Sequence, residues 1–147
     1  MKFASNREVY GQGEPADYLY KVVSGAVRTS KILADGRRQI GSFYLPGDVF
    51  GLEIGCDYAF TAEAITDSNV LAVRRSALIG LASLDGAVAQ QMWRLAACEL
   101  ARIQNHILLL VESAQERVVS FLLEMVDRTP EGRPIELPMS RQDIADH

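Results

Sequence analysis

Between residues 85 and 111, apolar side chains recur at alternating steps of three and four: Trp93, Ala96, Leu100, Ile103, Ile107 and Leu110. That is the spacing of a coiled-coil seam, where one edge of a helix meets a second helix. Val88, Met92, Leu95 and Cys98 form another apolar set on a neighbouring face. One stripe packs a helix on its own domain, whereas two let it pack there and on a partner as well. The pattern predicts a long helix over 85–112, a rod of about 40 Å at roughly 1.5 Å per residue, pairing with its copy in a homodimer. Cys98 is expected there as a small core residue.

Ahead of that helix the period changes. Tyr18–Val23, Ala26–Ile32, Arg38–Phe43, Ala59–Ile65 and Asn69–Val73 are short β-like runs. Ser24-Gly25, Asp35-Gly36 and Pro46-Gly47-Asp48 punctuate them. Asp35-Gly36 is expected as a hairpin turn with φ > 0 at both central residues. Short strands at such regular spacing argue for a small antiparallel barrel or sandwich. Arg75–Leu81 reads as a short helix.

After the long helix, Ser113-Ala114-Gln115-Glu116 is a capping box that starts a new helix, with Val118, Phe121, Leu122 and Met125 on one face. Thr129-Pro130-Glu131-Gly132 should end it. Ile135-Glu136-Leu137 reads as extended, and Ser140 as an N-cap with Asp143 at the third helical position. That last helix has only begun at His147, so the chain is expected to continue in a longer protein. Its start, already near a strand, suggests trimming there too. The expected division is a β domain over 1–84, the long helix over 85–112 and a tail over 113–147.

Composition narrows the chemistry. No apolar run approaches a membrane span, and Met1 to Arg7 lead into no secretory h-region. Cys56 and Cys98 are the two cysteines, without a CxxC pair, which suits a reducing compartment and a cytoplasmic location. A net charge of −4 makes this segment as a whole no electrostatic surface for DNA.

The run from Gly13 to Arg28 (GEPADYLYKVVSGAVR) and the run from Gly41 to Gly51 (GSFYLPGDVFG) resemble the cyclic-nucleotide-binding β-roll. With the long helix, the second helix and Met139-Ser140-Arg141-Gln142-Asp143-Ile144-Ala145 in that order, nearly the whole chain resembles the CRP/FNR family of bacterial transcription regulators, closest to its FNR/FixK branch. The resemblance implies an α+β fold: an antiparallel β-roll (a double-stranded β-helix), a long dimerisation helix and the start of a winged helix-turn-helix, truncated before its recognition helix. It implies a cytoplasmic homodimer that regulates transcription, an activator under low oxygen on the FixK side, with DNA and RNA polymerase as partners of the full-length protein. Ser140, Arg141 and Gln142 match family positions near DNA phosphates, which position a protein without reading sequence.

Other chemistries fit less well. Nucleotide-binding family members place a glutamate directly after Phe-Gly and an Arg-Ser/Thr pair on the phosphate. Here Leu52 follows Phe50-Gly51, with Glu53 one place late, and Tyr58-Ala59-Phe60-Thr61-Ala62 holds no arginine. In a strand, that one-residue shift would turn Glu53 to the other face, and a buried phosphate would be poorly compensated. An iron–sulfur cluster needs about four thiolates. A cupin-like metal site needs clustered histidines, whereas His106 and His147 both lie outside the β region. No enzyme and no cofactor are expected. Cys56, in a loop, is the candidate for a redox role. The alternatives to a DNA-binding regulator are a dimeric β-roll adaptor that works through protein contacts, and a cyclic-nucleotide-binding module. The signal, if any, and the target DNA are not legible.

Overall fold

The computed structural model describes residues 1–53, 55–109, 113–128 and 137–147. Its strands are β1 (Lys2–Phe3), β2 (Glu8–Tyr10), β3 (Tyr18–Ser24), β4 (Val27–Ile32), β5 (Arg38–Tyr44), β6 (Val49–Phe50), β7 (Thr61–Ala64) and β8 (Ser68–Arg74). They form two four-stranded antiparallel sheets, ordered β1-β8-β3-β6 and β2-β7-β4-β5. The chain passes repeatedly from one sheet to the other, which closes the β-roll. Inward positions of both sheets meet in one cluster: Tyr20, Val22, Val27, Phe50, Ala62 and Val70, with Tyr10, Tyr44 and Tyr58. Aromatic rings dominate it, the Tyr10 ring lying 3.7 Å from that of Tyr58 and 5.4 Å from that of Tyr20.

Turn chemistry sets the register. Gly25 has φ +84°, and a Cβ there would overlap the Ser68 hydroxyl and the Asp67 carbonyl, so the β3–β4 corner requires glycine. The Asp35-Gly36 turn differs from expectation, because Gly36 alone has positive φ. The reason is local hydrogen bonding. The Asp35 carboxylate accepts from the Arg37 amide at 3.0 Å, and the Leu33 carbonyl accepts from the Gly36 amide at 2.9 Å. Together they build a longer loop that a two-residue turn would not need.

The helices are α1 (Arg75–Leu84), α2 (Gly86–Leu109), α3 (Ala114–Asp127) and α4 (Arg141–Ala145). α1 runs past the expected Leu81. Asp85, expected inside the long helix, instead separates α1 from α2 and accepts the Ala87 amide at 2.8 Å. Both capping boxes form, Ser113 with Glu116 and Ser140 with Asp143. The end of the long helix at 110–112, the stop at Thr129–Gly132 and the extended Ile135-Glu136 lie outside the described residues. Leu137 belongs to no strand.

A second cluster joins the tail to the β-roll. Phe121 and Met125 of α3 and Met139 before α4 bury against Ala26, Ile40, Phe43 and Ile65. Val118 and Leu122, expected on the same apolar face, are exposed, because Phe121 and Met125 take the positions against the roll. Cys98 is exposed as well, contrary to expectation. On that turn of α2 it is Glu99 and Arg102 that face the β-roll. Tyr44 donates to Glu99 at 3.0 Å, and Arg102 lies 5.0 Å from the Tyr44 ring. Arg102 also pairs with Asp48 at 3.5 Å, and Asp48 pairs in turn with Arg128 just after α3.

Candidate functional site: a cavity and a charged joint on one strand

Between the β-roll and α2 lies a cavity of about 280 Å³, bordered by Tyr10, Ile40, Tyr44, Leu52, Glu53 and Phe60 on the roll and by Glu99, Ile103 and Ile107 on the helix. No lysine or arginine lines it among the described residues. Leu52 and Glu53 both border it, so Glu53 is not turned away as strand alternation would predict. The reason is that β6 ends at Phe50 and Gly51 turns the chain with φ +79°. Burial raises the Glu53 pKa, only partly offset by a hydrogen bond from the Ala59 backbone and by the charge of Arg75. Arg75, the nearby cation, donates to the carbonyls of Gly51 at 2.7 Å and Gly55 at 3.3 Å. The Tyr10 hydroxyl is buried at the cavity with no hydrogen-bond partner among the described residues. Its pKa is pushed up by burial and then by Tyr44 and Glu53.

The same strand, β5, also carries a different site, at its start, where Gln39 and Ile40 border the cavity and bond to Asp146 as well. Arg28 of β4 donates to both Asp143 carboxylate oxygens at 2.9 and 2.8 Å and to Glu63 at 2.9 Å. Arg38 of β5 donates to Asp143 at 2.7 Å and to Asp146 at 2.8 Å. The Ile40 amide donates to the Asp146 carbonyl at 2.8 Å, and the Gln39 side chain to the same carbonyl at 3.1 Å. Asp143 is 2% exposed. Burial opposes its charge, but the Ser140 hydroxyl and amide, Arg28 and Arg38 outweigh it, and its pKa falls below the usual carboxylate value.

The expected site residues are distributed as follows. On α2, Trp93 is 75% and Ile103 49% exposed, and Ala96, Leu100 and Ile107 are exposed too. Leu110 lies outside the described residues. Ile103 and Ile107 also border the cavity, so this face is not independent of the β-roll. Ser140, Arg141 and Gln142 are exposed at the start of α4. There the Ser140 hydroxyl donates to Asp143 at 2.9 Å, and the Gln142 amide to Asp146 at 2.7 Å. Cys56 is exposed. Arg28, Arg38, Glu63 and Asp146 were not anticipated from the sequence. The legible signal was Asp143 and Asp146, three apart on a single helical face. Their partners, more than a hundred residues away, were not.

Residues 1–85 match the family model of the cyclic nucleotide-binding domain. The solved structure of FixK2 from Bradyrhizobium japonicum aligns with a TM-score of 0.93 at 50% identity, covering 99% of this chain and 74% of that one. The chain belongs to the CRP/FNR family of bacterial transcription regulators. The nitrogen fixation regulation protein FixK of Azorhizobium caulinodans is 47% identical over 150 residues, which are 98% of this chain and 60% of that protein. FixK of Rhizobium meliloti is 41% identical, covering 99% of this chain and 66% of that protein. A CRP-family transcriptional regulator from Thermus thermophilus aligns at 30% identity with a TM-score of 0.78, covering 99% of this chain and 75% of that one. The chain therefore spans less than two thirds of the two FixK proteins it matches. No helix among the described residues is long and apolar enough to cross a membrane.

Proposed function

We propose that this chain is the sensor-like domain, dimer helix and first DNA-module helix of a FixK-type transcription activator, and that it recruits RNA polymerase at its promoters rather than catalysing a reaction. The observation that carries the reading is the apolar edge of α2, where Trp93 and Leu100, with Ile103 and Ile107 at the cavity rim, stand exposed on a helix about 36 Å long. A two-fold axis along that edge makes one patch serve both subunits and buries each residue twice. Leu110 extends the same edge in sequence. Pairing places two copies of α4 on one side of the dimer, so that two recognition helices following it can enter successive major grooves. Ser140, Arg141 and Gln142 then contact phosphates. DNA as partner makes the location cytoplasmic.

The cavity does not take a cyclic nucleotide in this reading. Its border carries Glu53 and Glu99 and no cation among the described residues, so a phosphate would be buried against carboxylates without an arginine to pair it. A mobility shift of the full-length protein tests the function. Binding to a palindrome with half-sites about one helical turn apart, and not to scrambled DNA, is the expected result. A protein that stays monomeric, or one that does not discriminate the palindrome, overturns it.

A further inference from the structure

The buried charges of this chain are gathered where α4 meets the β-roll. Arg28 and Asp143 are both buried, and each has more than one charged partner. Arg38 adds a second fork on Asp143 and Asp146. Two further bonds, from the Ile40 amide and the Gln39 side chain, fasten the chain just after α4 to β5. The contact has a direction. Asp143 and Asp146, which would repel phosphate, face the arginines, while Ser140, Arg141 and Gln142 face solvent.

We propose that Arg28 and Arg38 are positioning residues for DNA recognition: they dock α4 with its acidic face inward and its phosphate-contacting edge outward, so that ion pairs within the chain, and no bound effector, set the orientation of the DNA-reading module. The inference rests on the DNA-binding reading above. It follows from three features together. Two guanidinium groups converge on one carboxylate, Arg28 Nη1 reaching both Asp143 oxygens and Arg38 Nη2 one of them, and two such contacts from different strands restrict direction as well as distance. The capping box gives the Asp143 carboxylate its place at the start of α4, so gripping that carboxylate grips the helix. The hydrogen bonds to Asp146 and His147 hold the far end, which leaves the short helix no axis about which to turn.

The test uses the full-length protein with Cys56→Ser and Cys98→Ser as background. Arg28→Met and Arg38→Met are each expected to weaken binding to the palindrome about tenfold. Affinity for scrambled DNA, the dimer and the circular dichroism spectrum are expected to stay unchanged, because neither arginine lies on the DNA-facing edge. Arg38→Lys, which keeps the charge but not the guanidinium that spans both carboxylates, should recover only part of the loss. If Arg28→Met does not fold, the more exposed Arg38 carries the test together with a covalent substitute. Arg38→Cys with Asp146→Cys should bind weakly until a short dithiol-reactive cross-linker joins the two, and then recover. Arginine variants with unchanged palindrome affinity would overturn the inference, as would a cross-linked protein that stays weak. Background protein that fails to select the palindrome would remove the DNA-binding reading itself; selective background with indifferent variants would remove only the positioning role.

Discussion

Strand β5 borders two regions built from opposite materials. One is the cavity, where aromatic and aliphatic side chains meet Glu53, Glu99 and a Tyr10 hydroxyl without a partner among the described residues. The other is the joint with α4, where Arg28 and Arg38 are ion-paired with Glu63, Asp143 and Asp146. A phosphate-binding pocket needs a desolvated arginine. This chain has desolvated arginines, but they serve the contact between its own parts. The contrast teaches that a fold can keep a ligand pocket's shape while the charges that would make it ligand-dependent stand elsewhere.

The comparison can be broken most forcefully at the joint. Asp143→Ala leaves Arg28 buried without one of its carboxylates and removes the carboxylate half of the α4 capping box, while the Ser140 hydroxyl still accepts from the backbone amide of residue 143. Losing one partner of a buried pair costs about 3–5 kcal/mol. That loss should appear as local undocking, with hydrogen exchange of the α4 amides and of the Ile40 amide accelerating by orders of magnitude while β3 and β8 stay protected. Equal protection before and after the substitution would show that the ion pairs do not hold the joint.

The next effect is at the cavity rim, which doubles as the proposed seam. Ile103→Asp sets two carboxylates facing each other across the axis and removes roughly 1.5–3 kcal/mol of apolar burial per side chain. A folded monomer at micromolar concentration is expected by light scattering and circular dichroism. Because Ile103 also borders the cavity, some loss of thermal stability should accompany it. A mutant still dimeric would place the seam elsewhere.

Within the cavity the effect is smaller and opposite in sign. Tyr10→Phe deletes a buried hydroxyl that has no partner among the described residues, so it should stabilise the fold by about 1 kcal/mol, or roughly 2–4 °C in Tm. A decrease in Tm would mean that the hydroxyl is in use.

The smallest effect separates the two regions by pH. The Asp143 pKa is lowered in the fold, so its contribution is complete above the ordinary value of about 3.9 and is lost as pH falls through the lower folded value. The Glu53 pKa is raised, mainly by burial, so its charge costs stability increasingly as pH rises past about 4.3. Glu53→Gln should therefore raise Tm at neutral pH and lose that advantage near pH 4, where the joint remains docked. A gain independent of pH would show that its cause is not the charge.

Much of this was legible along the chain. A small antiparallel β domain could be read from alternation and turns, since strand faces and Gly-containing corners are local signals, and the family resemblance implied its β-roll form. Both capping boxes were legible for the same reason. The Asp35-Gly36 turn was misjudged because an Asp side chain bonding its own loop competes with the two-residue turn. Cys98 was misplaced because an apolar stripe says which residues share a face, and not whether Glu99 and Arg102 beside it will take the inner position. Glu53 was misjudged by applying a strand's two-residue period where Gly51 had already ended the strand. The joint itself was beyond reach: Arg28 sits in an ordinary-looking strand, and what makes it a buried partner of Asp143 is a contact 115 residues away in sequence.

In the proposed arrangement, orientation of the DNA module is set inside the chain and not by an effector in the β-roll. The most direct measurement is the affinity of the full-length protein for its palindrome with and without millimolar cyclic AMP. Tight binding without the nucleotide is expected, with a change of less than about twofold on adding it. A protein that binds only when cyclic AMP is present, or about tenfold more tightly with it, a gain of about 1.4 kcal/mol, would contradict that arrangement.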